Sequence, residues 1–349
     1  MNKRPHISPP CTGNAVRSAK FSAGFTLIEL MIAMVLGLIV IAGVTSVFIA
    51  TQRSYRTNQA LGDVQDSSRV AFELMARDIR DAGLTGCGNS GRVANVLQPS
   101  ATNWWADWGN AVHGYGAGTV ADPALTVGTA AGNQLKDTDS LQLLGAADTG
   151  LSVAATPSST AANFKLNDTT SDLKTGEVII VCDPDHATIV QISDYNDSNV
   201  TVVHNVGGKV SPGNCSKGMG YPTVCSTNGN GYMFGANSQI FKLAAVDWYI
   251  GTNPVGGKSL YRMTVDTTGA APATSSQEMV RDVTAMNLRY HVAGGASFVD
   301  AATVAANWPT VDSVQVKLTL ESVDKRAGTD TKAISRDFTA TTTIRNRVP

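Results

Sequence analysis

The feature that most constrains this chain is an apolar run from Phe25 to about Ala50, 26 residues with a single formal charge, Glu29. Wound as a helix, the run is about 39 Å long, more than the roughly 30 Å hydrocarbon core of a bilayer. A carboxylate near the start of such a segment costs free energy in lipid, so its presence needs a reason. No proline lies between Pro10 and Pro99, so nothing forces a sharp kink, although Gly37 and Gly43 soften the helix. Residues 1–24 carry Lys3, Arg4, Arg17 and Lys20 and no acid, which puts them on the cytoplasmic side and the rest across the membrane. A secretory signal is cut beyond a shorter apolar core. Here the small residues Ser22, Ala23 and Gly24 precede the core instead.

From Arg53 the same helix turns amphipathic. Leu61, Val64, Ala71, Leu74, Met75, Ile79 and Ala82 recur at three- and four-residue intervals, a stripe expected to pack under a sheet. Arg53, Arg56, Asp63, Asp66, Arg69, Glu73, Arg77 and Asp81 take the wet side, and Gly83 is a natural stop. Such a helix, greasy at one end and amphipathic at the other, is expected to project from a globular domain.

Beyond the helix, residues 88–138 are rich in Gly, Ala and Asn and read as long loops with at most a short helix. Nine strand candidates follow: Ser140–Leu144, Glu177–Cys182, Thr188–Ile192, Val200–His204, Ala244–Ile250, Leu260–Thr264, Met286–Val292, Val311–Leu320 and Ser335–Ile344. The clearest is Val311–Leu320, with Val314, Val316, Leu318 and Leu320 on one face. Residues 145–172, 207–235, 251–258 and 265–277 read as breaks. The simplest architecture is α+β, a long N-terminal helix packed on an antiparallel sheet domain with long loops.

The chain carries five cysteines. Removing residues 1–24 takes Cys11 and leaves Cys87, Cys182, Cys215 and Cys225, an even number for a compartment that permits disulfides. Three pairings are open. The favoured one closes a short loop with Cys215–Cys225 and ties the helix end to the sheet with Cys87–Cys182. Without residues 1–24 the chain holds 23 basic and 28 acidic residues, net −5, which gives no electrostatic case for nucleic acid.

The order Gly24-Phe25-Thr26-Leu27-Ile28-Glu29 resembles the processing site of type IV prepilins. Two further stretches resemble minor pilins of the PilW type: Asp78-Ile79-Arg80-Asp81-Ala82-Gly83-Leu84-Thr85-Gly86-Cys87 at the helix end, and Phe338 to Arg347, ending Arg345-Asn346-Arg347. The resemblance implies a prepilin peptidase that cuts after Gly24 and methylates Phe25. It also makes Glu29 the residue that sets register between subunits, by pairing with a neighbour's N-terminal amine. The implied domains are a leader (1–24), a membrane or fibre-core half-helix (25–50), an amphipathic half-helix (51–86) and a periplasmic β-rich domain (87–349). Other minor pilins, the major pilin and the inner-membrane assembly machinery are the implied partners. Major pilins usually carry a kinking proline where this chain has Ser46, which favours a minor subunit. The implied role is pilus initiation in a tip or priming complex, supporting twitching motility and adhesion. Its rivals are a J-type pseudopilin of type II secretion and a pilus-borne adhesin.

Other constellations read as structural. Asp194-Tyr195-Asn196-Asp197-Ser198-Asn199 lacks the glycine and closing glutamate of a calcium loop and reads as Asx turns, as do Asp183 and Asp185 around Pro184. Cys182, His186, His204, Cys215 and Cys225 lack the close spacing of a zinc site. No nucleophile elbow, P-loop or metalloprotease helix is present, so no enzyme, cofactor or metal is expected. Trp104, Trp105, Trp108, His113 and Tyr115 are expected as a satellite core under loops, with an exposed adhesive patch as the rival reading.

Overall fold

The computed structural model describes residues 24–87, 91–98, 103–118, 121–207, 210–269 and 271–348. The chain divides into two compact units, Met1–Tyr55 and Arg56–Pro349, and the expected leader lies outside the described residues except for Gly24. Helix α1 (Leu27–Asp81) is continuous over 55 residues. In the first unit it is long and apolar enough to cross a membrane, and its large side chains stand exposed, Leu38 at 66% and Ile39 at 62%.

In the second unit the helix buries one stripe: Ala60, Val64, Ser68, Ala71, Met75 and Ile79, followed by Ala82. The three- and four-residue steps keep these side chains on one face. Leu61 and Leu74 are only half-buried, and Ala60 and Ser68 join the stripe instead. Small size explains both: Ala60 packs with Ala327 and Ile334, and Ser68 turns its hydroxyl back to the Gln65 carbonyl at 2.7 Å. Arg56, Asp63, Asp66, Arg69, Glu73, Arg77 and Asp81 are exposed.

Fourteen strands follow. They are β1 (Val93–Asn95), β2 (Val112–Tyr115), β3 (Ser140–Ala155), β4 (Asn163–Leu166), β5 (Val178–Cys182), β6 (Ala187–Gln191), β7 (Asp194–Tyr195) and β8 (Thr201–Val203). After a long loop come β9 (Gln239–Thr252), β10 (Lys258–Asp266), β11 (Ala273–Arg281), β12 (Val283–Val292), β13 (Val311–Glu321) and β14 (Ser335–Thr343). A short helix, α2 (Ala301–Val304), precedes β13. The larger sheet runs β1-β6-β5-β9-β3-β4-β8-β7, with β10 and β11 continuing from β9 and β2 paired to β3. Strand β9 is its hub, pairing β5 with its first residues, β10 with its last and β3 along its length. The β1–β6 pair is parallel, and the other strand pairs are antiparallel. A second sheet, β12-β13-β14, is antiparallel.

Two expected breaks are strands in the structure. Residues 145–155 continue β3 because a register shift between Asp148 and Leu151 absorbs the Gly-containing stretch. Strand β11 begins Ala-Thr-Ser-Ser-Gln with all five residues exposed, so it has no apolar alternation to reveal it. Strands β1, β2, β4 and β7 were likewise too short or polar to stand out.

The helix stripe forms one core with both sheets: Met75 and Ile79 cluster with Leu141, Leu143 and Trp248 of the large sheet and Met286, Val314, Val316 and Leu318 of the small one. Satellite cores fill the β4–β5–β6 end and the space under the tryptophan-rich turns.

Candidate assembly site

Helix α1 starts with its own cap. Gly24, Phe25 and Thr26 precede it, and the Glu29 N–H donates to Thr26 Oγ1 at 3.3 Å while the Thr26 hydroxyl donates to Glu29 Oε2 at 3.5 Å. Thr-x-x-Glu before an apolar run is the capping-box pattern. Glu29 therefore has a local role, and the spacing to Thr26 was there to read in the sequence. Gly24, Phe25 and Glu29 sit together within the first turn and the residues before it, with Phe25 82% exposed.

The other end of the helix is closed by distant residues. The last carbonyls of a helix lack intrahelical partners. Here the Arg345 N–H donates to the Arg80 carbonyl at 3.1 Å, and Asn346 Nδ2 donates to the Gly83 carbonyl at 2.7 Å. Gly83, at φ +74°, turns the chain out of the helix, and a Cβ there would stand 3.1 Å from Asn346 Nδ2. A Cβ on Gly86 would overlap the Phe241 ring at 2.3 Å, so both glycines of the helix-end segment have packing reasons. Arg347 Nη1 donates to the Trp308 and Val311 carbonyls, and burial pulls its guanidinium below the usual arginine range.

Two disulfides occur among the described residues, one of them at this helix end. Cys87–Cys182 joins the segment after the helix to β5, and Cys215–Cys225 closes a loop ten residues apart in sequence. A further tie was not read from the sequence. Asp78, counted on neither face, accepts from Arg262 Nε at 2.7 Å and from Trp248 Nε1 at 3.0 Å. Its signals in the sequence are its place between Arg77 and Ile79 and its position at the head of the Asp78–Cys87 stretch.

The remaining candidates are structural. Asn196 Oδ1 accepts from the Ser198 N–H, and Asn199 Oδ1 from the Thr201 N–H, which are Asx turns. Asp183 Oδ1 accepts from the Asp185 and His186 N–H groups in the same way. No cluster able to hold a metal occurs among the described residues. Trp105 is buried, with Trp104 and Trp108 packed against the same cluster, and His113 lies between Tyr115 and Trp308 at ring distances of 4.6 and 4.5 Å. The three tryptophans belong to a satellite core, whereas His113 and Tyr115 pack toward Trp308 of the main core. His204 is fully buried with neither ring nitrogen hydrogen-bonded, and burial pushes its pKa down to about 4.

Two families match this chain. The one described as the prokaryotic N-terminal methylation motif covers residues 20–45, spanning Gly24, Phe25 and Glu29. The one described as type IV pilus-assembly protein W covers residues 247–346, from within β9 to Asn346 at the helix end. No curated protein and no solved structure matches.

Proposed function

We propose that this chain, matched at residues 20–45 by the N-terminal methylation motif and at residues 247–346 by the type IV pilus-assembly protein W family, is a prepilin-like minor pilin of the PilW type that takes part in initiating type IV pilus assembly, in a tip or priming complex with other minor pilins. A prepilin peptidase cuts between Gly24 and Phe25 and methylates the new N-terminus. The inner membrane of a Gram-negative cell then holds the apolar half of α1, with residues 87–349 in the periplasm, until the subunit enters the fibre. Glu29 takes the amine of a neighbouring Phe25 as its partner, because a carboxylate buried among packed apolar helices and left unpaired costs several kcal/mol. The pair fixes the stagger between subunits, a registry role. Twitching motility and surface adhesion follow from the fibre this subunit primes.

The observation that carries this reading is the exposed apolar half of α1, entered at Gly24-Phe25 with its one acid a single turn inside. The test is intact mass and N-terminal sequencing of the protein from envelope fractions, with Glu29→Ala compared for surface pili. A start at N-methylated Phe25 with a marked loss of pili in the variant is expected. A chain that begins at Met1, or a Glu29→Ala strain piliated like wild type, overturns it.

A further inference from the structure

We propose that Asp122 and Asp247 share one proton, and that this proton latches residues 121–125 over an aromatic face of the large sheet and releases them when it is lost. Asp247 on β9 lies opposite Gln142 on β3, and Asp122 comes down onto them from the 121–131 segment. Both aspartates are buried, 0% and 3% exposed. Asp122 is the acceptor: the Ser140 hydroxyl, Gln142 Nε2 and the Ala124 N–H all donate to it, at 2.5, 2.7 and 2.9 Å. Gln142 Nε2 also points at Asp247 Oδ2 at 3.4 Å. Asp247 Oδ1 is buried without another partner and is the atom left to carry the hydrogen. Two carboxylates in contact away from water cannot both be charged. Burial, and next the charge of Asp122, hold the Asp247 carboxyl well above the usual carboxylate range.

The latch has something to cover. Ala124 and Leu125 pack on Tyr249, Tyr261 and Met263. Downstream the segment is tied independently: Gly132 N–H donates to the Thr252 carbonyl and Leu135 N–H to the Ile250 carbonyl, both at 2.8 Å. Only the upstream part depends on Asp122. A cavity of about 230 Å³, lined in part by Tyr115, Asp122 and Gln134, borders the Asp122 side of the pair. The titratable neighbours are His113 and Tyr115 from β2, Tyr249 from β9, Tyr261 from β10, Tyr290 from β12, Lys136 and Asp137 lining the same cavity as Asp122, and Asp107 and Asp139 farther out. Burial lowers His113 and raises the four tyrosines, so these five stay neutral from about pH 6.5 to about 9.5. Asp107 and Asp139 add negative charge, which favours retention of the proton.

The test is amide hydrogen exchange on the full-length chain in detergent, as protection relative to intrinsic rates, across that pH range. Infrared detection of the protonated carboxyl band accompanies it. The protection of Ala124 and Leu125 is expected to fall about tenfold or more as the band disappears, while Gly128, whose N–H donates to the Gln134 carbonyl, Gly132 and Leu135 hold theirs. Asp247→Asn, whose amide still donates a hydrogen to Asp122, is expected to lack the band and keep protection constant with pH. Flat protection in the wild type overturns the proposal, as does an equal fall in Asp247→Asn. If that variant does not fold, Asp122→Asn takes its place, and absence of a carboxyl band in the wild type at the low end of the range is equally fatal.

Discussion

The two halves of α1 share one backbone geometry and face opposite problems. Between Leu27 and Tyr55 the helix shows large apolar side chains on every side, Val44 and Val47 among them, at 65% and 67% exposure. Between Arg56 and Asp81 it shows mostly polar and charged side chains except along one buried stripe. A helix apolar all round wants lipid or other helices, and one with a stripe wants a sheet. Secondary structure therefore says little here about function, whereas the distribution of apolar side chains around the helix says a great deal.

The comparison is sharpest with paired truncations. Met75→Ala removes a side chain only 1% exposed and is expected to cost the β-rich unit about 2–5 kcal/mol. Ile39→Ala is expected to leave its unfolding midpoint unchanged, both read by denaturant titration of the full-length chain in detergent. Equal effects would erase the distinction between the halves.

Acid separates them in another way. His204 titrates near 6.5 when unfolded and at about 4 when buried. Below pH 6.5 the unfolded state therefore binds more protons, and stability falls as pH drops toward 4. The stabilisation is fully present above pH 6.5, and about 3 kcal/mol is lost across that window. Amide exchange should show residues 56–81 losing protection while residues 27–55 keep theirs, and His204→Leu should flatten the slope.

A smaller effect comes from Asp78→Ala, which strips partners from Arg262 and Trp248. With both ionic side chains under a third exposed, the expected cost is about 2 kcal/mol, less than for a fully buried pair. The same titration checks it. Smallest are the caps. Thr26→Ala should fray only the first turn, and Asn346→Ala only the last, each by about 1 kcal/mol, read as local amide exchange.

Much of this was legible because the relevant patterns are local. An apolar run, its single acid, the small residues before it and a three-to-four spacing are all read within a few turns, and so was the Val311–Leu320 strand. What stayed hidden depended on partners far along the chain. Asp78 gave no sign of Arg262, which lies 184 residues away. Strand β11 is polar because it is exposed, so its identity rests on pairing with β10. The Asp122–Asp247 contact exists only once β3 and β9 are in register. The Thr26–Glu29 cap is local, but the same acid is also a charge in an apolar run, and that second role masks its part as a helix-start signal.

The closure of α1 by Arg345 and Asn346 also sets an order of events. The Asn346–Gly83 bond spans 263 residues. A chain is made from its N-terminus at about 5–20 residues per second, so the helix emerges with its final carbonyls waiting on a strand not yet synthesised. The last turn of α1 is completed only after β14 has docked beside β13. Its cap is in effect a seal that reports the arrival of the sheet's closing strand.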